Sequence, residues 1–178
     1  MLVDLGINVV SLNDFPEIPE IVEDGKSFLE NALKKGRAVA EATGEPVLAD
    51  DSGLEVDALG GAPGIHSARY AGDDADDLQN NRKLLEELKG IPTAKRAAAF
   101  RCVMVLYSPD GRFEAFEGLW EGRIAETPAG KGGFGYDPLF FLPGEGMTVA
   151  QLSPEVKNSV SHRAQAFAKL KERLQNGS

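Results

Sequence analysis

Residues 97–107 (Ala97, Ala98, Ala99, Phe100, Arg101, Cys102, Val103, Met104, Val105, Leu106, Tyr107) form a long β run. Pro109-Asp110-Gly111 supplies the turn chemistry that follows it, and residues 112–126 read as the returning strand of a hairpin. A hairpin this long needs a sheet to join and helices to cover it, and the flanking sequence offers both. Ser27-Phe28-Leu29-Glu30 matches a capping box, and Phe28, Leu29, Ala32, Leu33 and Val39 follow at helical spacing. They predict a helix over 27–43 that stops at Gly44. Pro46-Val47-Leu48-Ala49 reads as a short buried strand halted by Asp50-Asp51-Ser52-Gly53. Leu54, Val56 and Ala58 give one face of the next strand, before a turn at Gly60-Gly61-Ala62-Pro63-Gly64. A second helix is expected over 74–89, with Asp73, Asp74, Asp76 and Asp77 at its start as solvated charges matched to the helix dipole. Ser153-Pro154 opens a short helix and Ser161 caps a last one ending near Leu174. Residues 1–13 read as a strand or strand end, and 14–24, with Pro16 and Pro19, as a loop. The mixture of βα and hairpin segments predicts an α/β or α+β fold with a mixed twisted sheet.

With 178 residues the chain buries about 70% of its unfolded surface and needs no staple to fold. Its 19 basic and 28 acidic residues give a formal charge of −9, which argues against a broad nucleic-acid surface. One nucleotide bound locally through a divalent cation stays compatible with that charge. The single cysteine, Cys102, excludes an internal disulfide and a cysteine-based zinc site, and its apolar neighbours predict a buried strand thiol. No stretch approaches the ~18 apolar residues of a membrane span. The first basic residue is Lys26 and Asp4 interrupts the apolar start, so no secretory signal is read and the expected compartment is the cytoplasm.

Four groups of residues carry candidate chemistry. Asp50-Asp51 closes an apolar strand where strand ends of α/β sheets line ligand crevices. Asp is a poor strand residue, and a turn would be satisfied by one Asp with Gly53. Only one of two adjacent strand residues can face a cleft, and a carboxylate there suits Mg²⁺, which takes one or two carboxylates with phosphate oxygens and waters. Glu30 is a second candidate, read against its place as the third residue of the capping box, where it would reach back to the backbone of Ser27. Gly130-Lys131-Gly132-Gly133-Phe134-Gly135-Tyr136-Asp137-Pro138 contains a formal G-x-G-x-x-G, but no apolar strand precedes it and Pro138 stands where a helix would begin. It reads as a plain glycine loop or as a flexible backbone bringing Phe134 or Tyr136 against a flat ligand. Lys157, His162 and Arg163 are helix surface charge, or donors for an anion or carbonyl-rich ligand, since the dipole at a helix start repels cations.

Taken together, these stretches resemble the inosine/xanthosine triphosphate pyrophosphatase family. The matching segments are Ser27 to Ala32, Ala49 to Leu54, Leu59 to Ile65 with Ser67-Ala68-Arg69-Tyr70, Gly132 to Pro138, and Ser161-His162-Arg163, in family order. The resemblance implies an elongated two-lobed α/β fold with a central nucleotide cleft, a mixed twisted sheet flanked by helices, Mg²⁺ dependence and a homodimer. It implies hydrolysis of non-standard purine nucleoside triphosphates to the monophosphate and pyrophosphate. By the same resemblance Asp51 is the general base and a metal ligand, and Glu30 the second metal ligand. Ser52 touches substrate, Phe134, Gly135, Tyr136 and Asp137 form the base pocket, and Lys157, His162 and Arg163 read and hold the purine. Hypoxanthine and xanthine present O6, an acceptor, to Arg163 or His162, whereas adenine's amino group would leave those donors unpaired.

One departure accompanies the match. The family opens on a strand and a Ser/Thr-Gly-Asn-x-x-Lys phosphate loop before its first helix, whereas Met1 to Gly6 here resembles the segment after that helix. The expectation is therefore one pyrophosphatase-like domain over 1–178 without that first strand, loop and most of that helix, and weak turnover by this chain alone. The rival reading is a non-catalytic nucleotide-binding or dimer-scaffold protein. A weaker third is a pyrophosphatase for modified pyrimidine nucleotides.

Overall fold

The long hairpin is the centre of the sheet, as its sequence requires. The computed structural model describes residues 6–15, 18 and 20–176. Strand β1 (Val47–Val56) follows helix α1 (Phe28–Thr43), and helix α2 (Asp77–Glu87) precedes β2 (Ala97–Tyr107) and β3 (Phe113–Ile124). Two short strands, β4 (Phe140–Leu142) and β5 (Met147–Thr148), lead to helices α3 (Pro154–Val160) and α4 (His162–Asn176). The five strands lie in the order β1-β2-β3-β4-β5, with β3–β4 and β4–β5 antiparallel. The fold is α/β, a central sheet flanked by helices.

The chain divides into two units, and the division falls within β1, β2 and β3. In the first (1–51, 102–118 and 165–178), helices cover both faces of the sheet. Gly36 of α1 lies so close that a Cβ there would stand 3.0 Å from Tyr107 Cβ and 3.8 Å from Ala49 Cβ. On the opposite face, Cys102, Met104 and Phe116 pack with Ala166 and Leu170 of α4. This double burial explains the unbroken apolar stretch Cys102–Val105. Cys102 is the buried strand thiol its neighbours predict. In the second unit (52–101 and 119–164), Leu54, Val56, Leu84, Leu88, Phe100, Ile124, Leu139 and Phe140 make the core.

Helix α1 begins and ends as its caps dictate. Ser27 Oγ accepts from Glu30 N at 3.1 Å, and Gly44 takes the left-handed conformation at φ 73°. The Asp50–Asp51 pair does not stop a strand. β1 runs through it unbroken, because both carboxylates find partners from the extended backbone and no turn is needed to satisfy them. Its first half is also less buried than expected, with Leu48 exposed. Helix α2 is shorter than 74–89. Asp76 is its N-cap, paired reciprocally with Gln79, so Asp73 and Asp74 precede the helix. The strand expected over 1–13 is not found among its described residues 6–13. Leu12–Asp14 is a 3₁₀ turn, because Ser11 and Asp14 bond each other's backbone and outcompete an extended conformation. Residues 1–5 of that span, and Pro16 and Pro19 of the loop, lie outside the described residues.

Arg96 is a buried guanidinium that donates to three backbone carbonyls. Nε donates to Ile91 O at 2.8 Å, Nη2 to Leu88 O at 3.0 Å and Nη1 to Ala125 O at 3.4 Å. It satisfies carbonyls just past the end of α2, where the dipole favours a cation. Arg96→Met is expected to cost roughly 3 kcal/mol, because the buried Leu88 carbonyl and two part-buried carbonyls lose a charged donor together. Urea unfolding of both proteins measures it, and a loss below about 0.5 kcal/mol would mean that water reaches those carbonyls.

Candidate active site

In the first unit the chemistry gathers around Asp51. Its side chain is 11% exposed. Asn31 Nδ2 donates to its Oδ2 at 3.1 Å and Lys35 Nζ to its Oδ1 at 3.3 Å. Lys35 also reaches Glu23 Oε2 at 3.1 Å, so one ammonium sits between two carboxylates. Asn31 is fully buried, and its other end accepts Gly25 N–H at 2.8 Å. Asn31 and Lys35 are four residues apart on α1 and so share the face turned to β1. Burial pushes the Asp51 carboxyl above its ordinary value of 3.8, and Glu23 adds to the rise. Lys35 and Asn31 pull the other way without cancelling it.

The neighbouring Asp50 points away, as strand alternation demands, and accepts from Cys102 Sγ at 3.9 Å. Ser52 is half-buried on the next position of β1. Glu30 is exposed at the start of α1, and its Oε2 accepts Lys26 N–H at 2.7 Å. Only half of the expected capping box forms: Ser27 accepts Glu30 N–H, while Glu30 braces the residue before the cap instead of the Ser27 N–H. Among the described residues no three His, Cys, Asp or Glu side chains converge as a ready cage for a metal. Mg²⁺ needs none when it arrives with phosphate, and a carboxylate whose oxygens each keep a second lone pair fits that mode of binding.

In the second unit the glycine loop carries Phe134 outward, the residue being 62% exposed. Lys157 Nζ lies 4.3 Å from the ring centroid and the Arg163 guanidinium 5.8 Å. Asp137 is buried, ion-paired to Lys157, and accepts Phe134 N–H at 2.9 Å. The loop wraps this carboxylate so tightly that a Cβ on Gly133 would sit 1.9 Å from Asp137 Oδ2, and Gly133 has φ 74°. Tyr136 is buried, and its hydroxyl donates to Ser67 O at 2.9 Å. Of the two aromatics expected to stack on a base, only Phe134 is exposed, and Tyr136 anchors the loop to the core. Gly135 donates to Asp77 Oδ2 at 2.6 Å. His162 is buried and stacks on Phe100 at 5.0 Å, whereas Arg163 is exposed.

Each unit thus assembles its share of the candidate residues, with Asp51 and Glu30 in one and Ser52, Phe134, Gly135, Tyr136, Asp137, Lys157, His162 and Arg163 in the other. Sequence reasoning missed Asn31, Lys35 and Glu23 beside Asp51, and Asp77 and Asn81 beside Gly135. Asn31 carried a usable signal. It is a poor helix former adjacent to the apolar positions Phe28 and Ala32, and such a residue needs a polar reason to be buried.

The raised Asp51 carboxyl has a measurable sign. The folded state holds its proton at a pH where the unfolded chain has released it. Stability contributed by the protonated form is present below the ordinary value of 3.8 and is lost as pH rises through the folded value. With divalent cations chelated, the stability of Asp51→Asn relative to the parental chain is therefore expected to grow as pH rises from about 4, then level off. Denaturant titrations of both chains across that window measure it. A gap that shrinks would mean that Lys35 and Asn31 outweigh burial.

Comparison with known proteins adds the relationship. A dITP/XTP pyrophosphatase of Geobacter sulfurreducens is 55% identical over 170 residues, 96% of this chain and 85% of that protein. One of Escherichia coli is 48% identical over 179 residues, 99% and 90% of the two chains. The solved Ham1 protein of Staphylococcus aureus is 43% identical and superposes with a TM-score of 0.90, over 96% of this chain and 88% of that one. A nucleoside-triphosphatase, or dITP/XTP pyrophosphatase, of Mycobacterium abscessus is 47% identical with a TM-score of 0.82, over 95% and 88%. The model of the Ham1 family matches residues 1–173, and with these identities over nearly the whole sequence the chain belongs to that family.

Proposed function

We propose that this chain hydrolyses non-standard purine nucleoside triphosphates, the inosine and xanthosine forms, to the monophosphate and pyrophosphate. Relatives named dITP/XTP pyrophosphatases, 48–55% identical over nearly the whole chain, support the reaction class. The observation on this molecule that carries the reading is Asp51, a nearly buried strand carboxylate held in one orientation by Asn31 and Lys35.

Asp51 takes the proton of the water that attacks the α-phosphorus, and the bond from that phosphorus to the bridging oxygen breaks to release pyrophosphate. A carboxyl raised by burial is a stronger base than one at its ordinary value, so the desolvation that costs stability serves proton transfer. Lys35 neutralises charge beside the base and offers an ammonium to phosphate oxygens. Asp51 and Glu30 are the residues that would hold Mg²⁺, and what the ion supplies when bound is charge neutralisation and polarisation of the phosphoryl group. Family membership supports a divalent-cation-dependent reaction. Phe134 provides the face on which a purine stacks, with Lys157 beneath it held by Asp137. The exposed Arg163 is the donor that reads O6, while His162, packed on Phe100, sets the start of α4 that carries it. Ser52 contributes a substrate contact. The reading takes residues 1–178 as one functional domain, acting as a cytoplasmic homodimer, a state that sedimentation velocity checks. Among the described residues no helix is long and apolar enough to cross a membrane.

Asp51→Asn is expected to lower kcat for inosine triphosphate about 10²-fold or more while the chain stays folded, read as pyrophosphate release with saturating Mg²⁺. A near-parental rate would remove Asp51 from the chemistry. Arg163→Ala is expected to shrink the ratio of kcat/KM for inosine triphosphate over ATP by about fivefold or more, the worth of one discriminating donor. An equal loss on both substrates would move Arg163 from the base to the phosphates.

A further inference from the structure

Helix α2 grips the aromatic loop at a single residue. Gly135 donates its N–H to Asp77 Oδ2 at 2.6 Å, and its carbonyl accepts from Asn81 Nδ2 at 2.8 Å. Asp77 and Asn81 stand four apart on α2 and so project from one face. The orientation of the Asn81 amide follows from its neighbours. Nδ2 also donates to Asp77 O at 2.7 Å, and two carbonyls on one side require the NH₂ group there. Asn81 Oδ1 is then left buried without a partner. A half-buried amide that leaves its buried acceptor unsatisfied to keep both donations trades one polar contact for two.

The residue so gripped follows Phe134, whose own N–H is held by Asp137 Oδ2 at 2.9 Å. The backbone is therefore fixed on both sides of a ring that is mostly exposed. A ring that packed into a core would be located by its own contacts. This one is exposed and meets only flexible cationic side chains, Lys157 and Arg163, among its described ring contacts, so the backbone beneath it shares in setting its direction. We propose that Asp77 and Asn81 are positioning residues that clamp Gly135 and so hold the Phe134 ring ready for the purine face of the substrate. This rests on the pyrophosphatase reading above. A ring already oriented loses less freedom when a base stacks on it, so the clamp strengthens binding. Stacking is the same in the bound substrate and the transition state, so loss of the clamp raises KM and leaves kcat.

Two near-isosteric exchanges separate the clamp from bulk. Asp77→Asn keeps an oxygen that accepts from Gly135 N–H, whereas Asp77→Ala removes it. Asn81→Asp replaces the donor with an oxygen facing the Gly135 carbonyl. The expected result is that Asp77→Ala and Asn81→Asp raise the Kd for inosine monophosphate and the KM for inosine triphosphate about fivefold or more, with kcat within about twofold. Asp77→Asn restores parental values. Exchange of the Gly135 amide proton is expected to quicken about tenfold in Asp77→Ala while Leu84 in the core of α2 is unchanged. Asp77 is exposed, so its variants keep the test open if Asn81→Asp fails to fold.

Faster exchange at Gly135 with unchanged Kd and KM would overturn the inference, leaving the contacts merely structural. Equal impairment in Asp77→Asn and Asp77→Ala would also overturn it, since the accepting oxygen would not be the cause. A parental chain that binds inosine monophosphate but releases no pyrophosphate would overturn the proposed reaction alone, and the Kd comparison would still decide the clamp. A parental chain that does not bind the monophosphate would overturn the clamp's purpose.

Discussion

Asn31 uses both ends of one buried amide, and the acidic centre of the first unit is arranged around it. Its Oδ1 holds the Gly25 N–H where the chain enters α1, and its Nδ2 holds Asp51 on β1. A buried amide cannot leave either end unmade without a penalty of about 1–3 kcal/mol. Fixing one end therefore fixes the other, and the helix entry, the helix face and the strand carboxylate are set together. Gly25 meets the same constraint, since a Cβ there would fall 2.5 Å from Asn31 Oδ1. Lys35, one turn along the same face, then has no choice but to meet the same carboxylate.

The second unit solves the analogous problem with a buried carboxylate. Asp137 takes Phe134 N–H and the Lys157 ammonium while its own loop closes over it at Gly133. The glycines of 130–135 are needed for closeness as much as for mobility. Gly130, with φ 84°, would put a Cβ 2.5 Å from the Ala150 backbone. Gly133 and Gly130 both require positive φ and the absence of a side chain, which no other residue supplies. The loop that reads in sequence as flexible is in fact tied at Gly132, Phe134, Gly135 and Tyr136.

What was legible in the sequence follows a physical division. Helix caps and strand patterns are local, so α1 with Ser27 and Gly44, the β2–β3 hairpin, and the starts of α3 and α4 could be read directly. Elements settled by tertiary partners could not. Asp50 and Asp51 look like a strand stop until their partners on β2 and α1 are known. The two-residue β5 carries no pattern of its own and exists through β4. The candidate residues were legible as a family pattern, and their separate duties were not. Tyr136 and Phe134 are both aromatic residues of one loop. Only packing assigns the first to the core, where burial pushes its phenol pKa up, and leaves the second exposed.

An acidic chain that takes a polyanionic substrate must carry its cations in advance. The formal charge of −9 argues against a diffuse positive surface, and both lysines among the candidate residues are held by carboxylates. Lys35 is held by Asp51 and Glu23, and Lys157 by Asp137. These pairs are not chiefly a source of stability, because desolvation offsets much of the attraction between half-buried charges. Their effect is positional. An exposed lysine would have to be ordered when substrate arrives, at a cost of about 1.5–2 kcal/mol in side-chain freedom. A lysine already ordered by a carboxylate pays that cost in folding instead. The same economy governs the aromatic loop, where the order a ligand would otherwise impose is already present in the free protein. Each unit thus uses one device, buried polar side chains that spend folding energy to fix a few neighbouring groups.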